Sequence, residues 1–432
     1  MWKNNFEAIK NMNPLKAEFT RQFYFDPSQV RLPDHILVEL DSQITNYETG
    51  VPFDVRQYLI SRSEVLASLA ISKAEQTNLL KETDASEIQR RLNADPEYDP
   101  LNDKDVKNEK DRLDRLELAN IMKVYRRVSS GGIKAKDLSI ELLKELHIKL
   151  SQDLDKFDYL PGFDRYYAGR IRASNHIAVR DGTTGFEYRP VDYQQVEENI
   201  ESILEYYREN SSITSLNILN IALYAVHPFH NGNKRLCRIL EHGLLRDLGL
   251  NKGNAFSHIY YYHKQIRRFY DELMRSLVGL NFMPAINFSR EAIFYSQLSV
   301  LKFGLEQKRK DLAARGGESR YPIYAPFIKN KSMQYKDLRF LNQGPAESTF
   351  AKWLAEGVDE GILKREQVGK TVFYSLNLDL QEEHLAREVI ESQLDQLAFI
   401  PSSYVEALYS PRERKNLGKL GVAGRCPCKM LK

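Results

Sequence analysis

Residues 227–238, HPFHNGNKRLCR, constrain this chain more than any other segment. An apolar run, residues 216–226, reads as a buried helix and leads straight into the stretch. A second helical pattern follows over residues 235–248. The backbone must therefore turn sharply between two helices while carrying histidine, asparagine, glycine, lysine and arginine. Asn231-Gly232-Asn233 sits where the new helix begins. Free N–H groups at a helix start bind anions, and glycine lets a phosphate approach the backbone. Asn233 can cap that helix and also donate to an oxygen. Arg235 and Arg238 lie three apart, so both project from nearly the same face. Two guanidinium groups beside a phosphate-sized cradle suit a di- or triphosphate. His227, just before the cradle, is placed to take a proton from a hydroxyl attacking that phosphate. Pro228 and Phe229 fix the bend and pin the loop into the core. A plain helix–helix turn explains any one of these residues, but it does not explain the whole string.

Composition narrows the surroundings. The chain has 432 residues, with a hydrophobic fraction of 42% and a charged fraction of 28%, as in ordinary globular proteins. No apolar run approaches the ~20 residues of a membrane span. Residues 1–19 alternate charge with single apolar residues and carry no signal-peptide core. The cysteines Cys237, Cys426 and Cys428 make no disulfide framework, and the last two are too small a set for zinc. A reducing, cytoplasmic protein is expected. The net charge of +3 does not by itself argue for nucleic acid.

Most of the chain reads as helix. Apolar residues recur at helical spacing over 58–80, 112–128, 139–154, 193–210 and 258–280. Residues 93–111 are polar, carry two prolines and read as a loop. Between 161 and 191 the period changes to alternation around a DGTTG turn, which predicts a β-hairpin with extended flanks. From 318 onward two short helices and a hairpin with a VGK turn spell a winged helix-turn-helix. Its second helix carries more acid than base, and its wing is basic. An amphipathic helix and a basic tail close the chain. The remaining histidines show no metal-ligand spacing and read as structural or solvated, His147 among them; His230 is expected to face solvent.

The motif resembles the signature of the Fic (filamentation induced by cAMP) family, His-x-Phe-x-acid-Gly-Asn-x-Arg-x-x-Arg. PGFDR followed by a hairpin and YRP resembles the family's flap region, and residues 258–273 resemble its following helix. Residues 63–79 resemble the inhibitory helix of members whose inhibitor precedes the core. The likeness covers roughly residues 56–306. It implies a mainly α fold: a Fic helical core with a β-hairpin flap, plus a C-terminal winged helix-turn-helix. The expected parts are an N-terminal helical region (1–112), the core (113–309), the winged helix (318–380) and a helix with a basic tail (381–432).

The resemblance also implies an activity, transfer of AMP from ATP to a Ser, Thr or Tyr hydroxyl of a target protein, with Mg²⁺. His227 is then the general base and Phe229 the loop anchor. Gly232 and Asn233 form the anion hole for the α- and β-phosphates, and Arg235 and Arg238 hold the β- and γ-phosphates. Gln265, with Tyr270, lines the adenine pocket. Target protein would dock on the flap hairpin 172–179 by strand addition. Glu75 would inhibit by pairing with Arg238. A DNA or protein partner is expected for the winged helix, a homodimer is a further expectation, and no membrane is.

Three departures from the signature qualify these roles. Asn231 replaces the acid that coordinates magnesium; its amide oxygen can ligate a hard cation but brings no charge. Lys234 replaces the usual glycine and can fill the space of the outgoing phosphates, as in the Doc branch. Ile71 and Gln76 replace the usual residues of the inhibitory motif. Two alternatives therefore stand beside adenylyl transfer: a degenerate Fic domain acting as a nucleotide- or partner-binding regulator, and a Doc-like protein kinase.

Overall fold

The computed structural model describes residues 23–419 except 50–51, 76–77, 104–105, 107, 161–166, 177, 181–184 and 186. The chain divides into two compact units, Met1–Gln297 and Leu298–Lys432. Unit one holds α1 (Asp34–Thr49), α2 (Phe53–Ser72), α3 (Glu82–Ala94), α4 (Glu109–Ser129) and α5 (Ile140–Leu150). The short strands β1 (Val179–Arg180) and β2 (Glu187–Tyr188) follow. Then come α6 (Val196–Glu209), α7 (Ile213–Val226), α8 (Asn233–Asp247), α9 (His258–Lys264) and α10 (Ile266–Val278). The unit boundary falls within α11 (Met283–Ala314).

Every residue of α7 is buried. A helix apolar on all sides has to be the centre of its unit, and α7 packs against α6 and α8. Such a helix needs both ends satisfied without water. At the start, the Ser212 hydroxyl accepts from the Ser215 N–H (3.0 Å). The Asp34 carboxylate accepts from the Ile213 N–H (3.1 Å) and the Thr214 hydroxyl (3.0 Å), and it pairs with buried Arg290. At the other end, the Ala225 carbonyl accepts from the Tyr188 hydroxyl (3.2 Å) and the Val226 carbonyl from Arg172 (3.2 Å). An anion at the N-terminus and a cation at the C-terminus both complement the helix dipole. The α2, α3 and α4 helices share a second apolar cluster that includes Val65, Leu69, Ile88, Leu118 and Met122.

The helix predicted over 258–280 is divided in two at Gln265, whose φ of −110° and ψ of 34° leave the helical region. The hairpin predicted over 161–191 is present but short, pairing Val179 with Tyr188 and Arg180 with Glu187.

Unit two contains α12 (Gly317–Tyr324), α13 (Pro326–Lys329), β3 (Met333–Gln334), α14 (Tyr335–Leu341) and α15 (Glu347–Asp359). It continues with β4 (Leu363–Val368), β5 (Thr371–Leu376), α16 (Gln381–Ser392), α17 (Ser402–Leu408) and α18 (Pro411–Lys419). The antiparallel sheet has the order β3-β5-β4. Val368 pairs with Thr371, so Gly369-Lys370 forms a two-residue turn, and Gly369 has a φ of +60°. The core of this unit includes Tyr324, Phe327, Leu338, Phe350, Leu354 and Leu376. Cys426 and Cys428 lie outside the described residues. Among the described residues, no helix is long and apolar enough to cross a membrane.

Candidate active site

The site is the loop between α7 and α8. The chain leaves α7 at His227, which is buried and adopts a left-handed conformation (φ 52°, ψ 66°). A non-glycine residue there is strained and persists only when its neighbours hold it. Arg172 does so. It is 3% exposed, and its Nε donates to the His227 carbonyl (2.9 Å). Its other nitrogens donate to the carbonyls of Val226, Ser174 and Val191 and to Asn175 Oδ1. Its own N–H donates to the Pro228 carbonyl (2.8 Å), and Ile171 forms an antiparallel bridge with Phe229.

These contacts correct the expected flap. Among the described residues of 172–179, only Val179 enters the strand pairing. Arg172 is the C-terminal cap of the central helix, and its guanidinium holds Ser174 and Asn175 beside the motif loop.

Phe229 is 1% exposed. Its ring stacks on His147 at 4.0 Å between centroids and 10° between planes. Asn233 closes the loop beneath it. The Asn233 amide accepts from the Phe229 N–H (3.0 Å) and donates to the Phe229 carbonyl (2.7 Å). This corrects the reading of Asn233 as helix cap: it is the first residue of α8, and its side chain is spent on the loop. The capping position falls to Gly232 (φ +74°), which has no side chain, so α8 begins without a side-chain cap. His230 is exposed, with its ring 5.1 Å from that of Tyr167.

The cations behave differently from one another. Arg235 is 1% exposed and paired with buried Glu117 at 2.9 Å. Its charge is compensated inside the protein, a correction to the picture of two equivalent arginines facing a ligand. Arg238 is equally buried. Its Nη1 donates to the Ala70 carbonyl on α2 (2.6 Å), and its Cζ lies 5.3 Å from the Phe269 ring centroid. Among the described residues, its Nε and Nη2 have no hydrogen-bond partner. The Lys234 ammonium lies 4.8 Å from the Tyr270 ring centroid, and the Tyr270 hydroxyl donates to the Ala74 carbonyl. A cavity of about 20 Å³, the size of one water, is lined by Arg238 together with Asn220, Glu241 and Tyr262.

Gln265 is half-buried at the junction of α9 and α10. The backbone of Glu75 lies in the helical turn Lys73–Glu75, and its side chain lies outside the described residues. Asn231 offers one neutral amide oxygen, and its carbonyl is engaged by His147 Nε2 (3.0 Å). Among the described residues, no three His, Cys, Asp or Glu side chains converge. Among the described residues, the donor set at the loop does not by itself fit a metal ion.

His147, Arg172, Glu117, Asp34 and Tyr188 escape a reading focused on the motif. His147 left one signal: it occupies the core stripe of α5 with Leu143, Leu146 and Leu150, where a polar ring needs partners.

Fold and site together define a mainly α domain whose fully buried central helix presents a histidine and an uncapped, cationic helix start. Residues 137–245 match the model of the Fic/DOC family, and this part of the chain is a Fic/DOC domain. No curated protein matches the chain. Among solved structures it is similar to a Fic family protein from Desulfovibrio desulfuricans G20, at 14% identity, over 83% of this chain and 99% of that one, with a TM-score of 0.48. It is also similar to a Fic domain containing signaling protein from Bacteroides thetaiotaomicron VPI-5482, at 13% identity, over 61% and 95%, with a TM-score of 0.45. Fic-1 from C. elegans (residues 134–508) matches at 16% identity, over 64% and 73%, with a TM-score of 0.42.

Proposed function

We propose that the chain is a protein adenylyltransferase that moves AMP from ATP to a Ser, Thr or Tyr hydroxyl of a target protein. One observation carries the reading. Arg238 is a buried cation with two unpartnered nitrogens among the described residues, little more than a turn along a helix that starts without a side-chain cap. A buried guanidinium with two donors left over among the described residues, and a helix start without a side-chain cap, both suit a polyphosphate.

In the proposed step, the target oxygen attacks the α-phosphorus. The new O–P bond forms as the bond to the bridging oxygen breaks, and pyrophosphate leaves. His227 takes the hydroxyl proton. The N–H groups at the start of α8 and Arg238 stabilise the charge that develops on the phosphates. Gly232 lets the chain approach closely, while Phe229 and Asn233 fix the loop. Lys234 and Gln265 border the nucleotide. Arg235, with Glu117, holds α8 in place and adds positive potential. No step is routed through a metal; any Mg²⁺ arrives on the phosphates of ATP.

Restraint by the N-terminal helix is part of the proposal. The end of α2 and the turn after it reach the site through backbone carbonyls: Ala70 holds Arg238 and Ala74 holds Tyr270. While Arg238 is held by Ala70, it is not fully available to the γ-phosphate. A regulator that binds nucleotide without turnover is the second reading, favoured by the neutral Asn231 and by Arg235 being committed to Glu117.

The test is intact-mass spectrometry of the full chain after incubation with ATP, with and without Mg²⁺, comparing wild type with His227→Ala. A gain of one AMP that needs His227 supports the reading. A gain of phosphate alone replaces it with a kinase. ATP binding without modification, alone or with candidate targets, favours the regulator.

A further inference from the structure

Two loops close onto the same turn of α5. Gly232, in the motif loop, has a φ of +74°, and a Cβ there would lie 3.0 Å from His147 Nε2. Gly169, in the segment before the hairpin, has a φ of +71°, and a Cβ there would lie 2.7 Å from Cγ1 of Ile148. Both positions need glycine for conformation and for close approach. Between the two loops stands the His147 ring, 1% exposed. Its Nδ1 accepts from the Gly169 N–H (2.9 Å), so Nε2 carries the proton and donates it to the Asn231 carbonyl (3.0 Å). Its face stacks on Phe229.

We propose that His147 is a positioning residue that holds the anion cradle at Asn231–Gly232 by one ring edge and the segment carrying Gly169 by the other, so that in the native chain a displacement of that segment is passed through the ring to the cradle. The functional consequence rests on the nucleotide-transfer reading; the clamp does not. Neutral imidazole suits the position for a chemical reason. It places a donor and an acceptor on opposite edges of one flat ring that also stacks. An amide puts donor and acceptor at the same end, and phenylalanine has neither. Burial is the main cause that holds the His147 pKa down to about 4, so the ring is neutral near pH 7 and Nδ1 remains an acceptor. The same segment continues to Arg172, which holds the His227 and Val226 carbonyls. A partner that shifts residues 167–175 therefore alters the cradle as well, and by linkage nucleotide binding alters the affinity for that partner. His147 touches no reacting atom in this scheme, so its loss appears first in nucleotide affinity and only secondarily in turnover.

Three variants of the full chain separate the roles. His147→Gln retains a donor near the place of Nε2, His147→Asn retains an acceptor near the place of Nδ1, and His147→Phe retains only the stacking ring. Amide hydrogen exchange is followed over residues 167–171 and 228–236, and ATP affinity is measured by calorimetry. His147→Asn is expected to raise exchange over 228–236 and to weaken ATP by about tenfold, the size of one lost buried hydrogen bond. His147→Gln is expected to raise exchange at Gly169 while holding ATP affinity within about threefold, and His147→Phe to raise both. The proposal is overturned if the three variants shift the two regions together, in proportion to thermal stability, or if His147→Phe shifts neither. If wild type binds no ATP while the exchange pattern holds, the clamp stands and the nucleotide reading falls.

Discussion

Arg172→Met is the sharpest test of how the site is held. The substitution keeps an unbranched, flexible side chain over the arginine's aliphatic stem and removes every side-chain donor. In the native chain the guanidinium serves three carbonyls in buried surroundings, those of Val226, His227 and Val191. Two further acceptors, Ser174 and Asn175, lie nearer solvent and can be served by water. A buried acceptor that loses its donor costs about 1 kcal/mol or more, so the three together account for roughly 3 kcal/mol. The cation also faces the C-terminal end of α7, where its loss costs on the order of 0.5–1 kcal/mol. The expected destabilisation is therefore about 4 kcal/mol, or roughly 10 °C in a unit of this size. Tyr188→Phe is the internal control. It removes one hydrogen bond to the same helix end and should cost about 1 kcal/mol. Urea unfolding of both variants, followed by circular dichroism, reads the difference. The mass assay should show a larger loss of modification in Arg172→Met than in the control, because the left-handed turn at His227 loses its tether. A loss below about 1 kcal/mol for Arg172→Met would refute the reasoning and show that water replaces the guanidinium at all three carbonyls.

Tyr270→Phe removes the hydroxyl that holds the Ala74 carbonyl; if that contact restrains the site, automodification should rise about fivefold, the equivalent of roughly 1 kcal/mol. Glu75→Gly should raise it too if the carboxylate is the restraint, so equal rates for wild type and both variants in the mass assay would remove autoinhibition from the account. Gly232→Ala forces a side chain into left-handed backbone against His147, at a cost of about 1–2 kcal/mol, and calorimetry should show weaker ATP binding; unchanged affinity would mean that the loop does not form the cradle. Protonation of His147 sets a pH dependence. Its folded pKa is about 4 against an ordinary 6.5, so the unfolded chain binds the extra proton. Stability is then full above about pH 6.5 and falls by about 3 kcal/mol as pH drops toward 4. His242 and His263 are shifted in the same direction, chiefly by burial, so the comparison needed is wild type against His147→Gln, whose curve should be flatter; parallel curves would remove His147 from the effect.

The central helix and the motif loop were legible because their signals are local. An apolar run ending in HPFHNGN fixes where a helix stops, and glycine marks where the chain turns. Ser139, Ser212 and Ser257 cap their helices in the same readable way. What could not be read was the assignment of partners. Asn233 looks like a cap in sequence, yet the side chain turns back to Phe229. Arg235 and Arg238 look equivalent by spacing, yet Glu117, more than 100 positions earlier, takes one of them. Arg172 reads as the edge of a flap because alternation surrounds it. Its acceptors lie on a helix end some 54 residues away, a contact that only the tertiary fold creates. Pattern specifies which elements form, but the pairing of buried charges depends on which elements come to lie side by side.

Those pairings explain why the motif alone does not make a site. The loop contains a left-handed histidine, a helix start without a side-chain cap and a guanidinium with two unpartnered nitrogens among the described residues. Each feature is unfavourable taken by itself. The loop holds this form because hydrogen bonds secure the two ends of α7 and the underside of the loop. Asp34 and Ser212 secure one end of α7, Arg172 and Tyr188 secure the other, and His147 supports the cradle from below. Evenly satisfied polar groups throughout the loop would make it more stable and leave an incoming phosphate nothing to complete. On the proposed reading, the stability concentrated in the ends of α7 offsets the cost of a cradle kept ready for an anion. A substitution at Arg172 or His147, distant in sequence from the motif, is therefore expected to disturb the site as much as one within it.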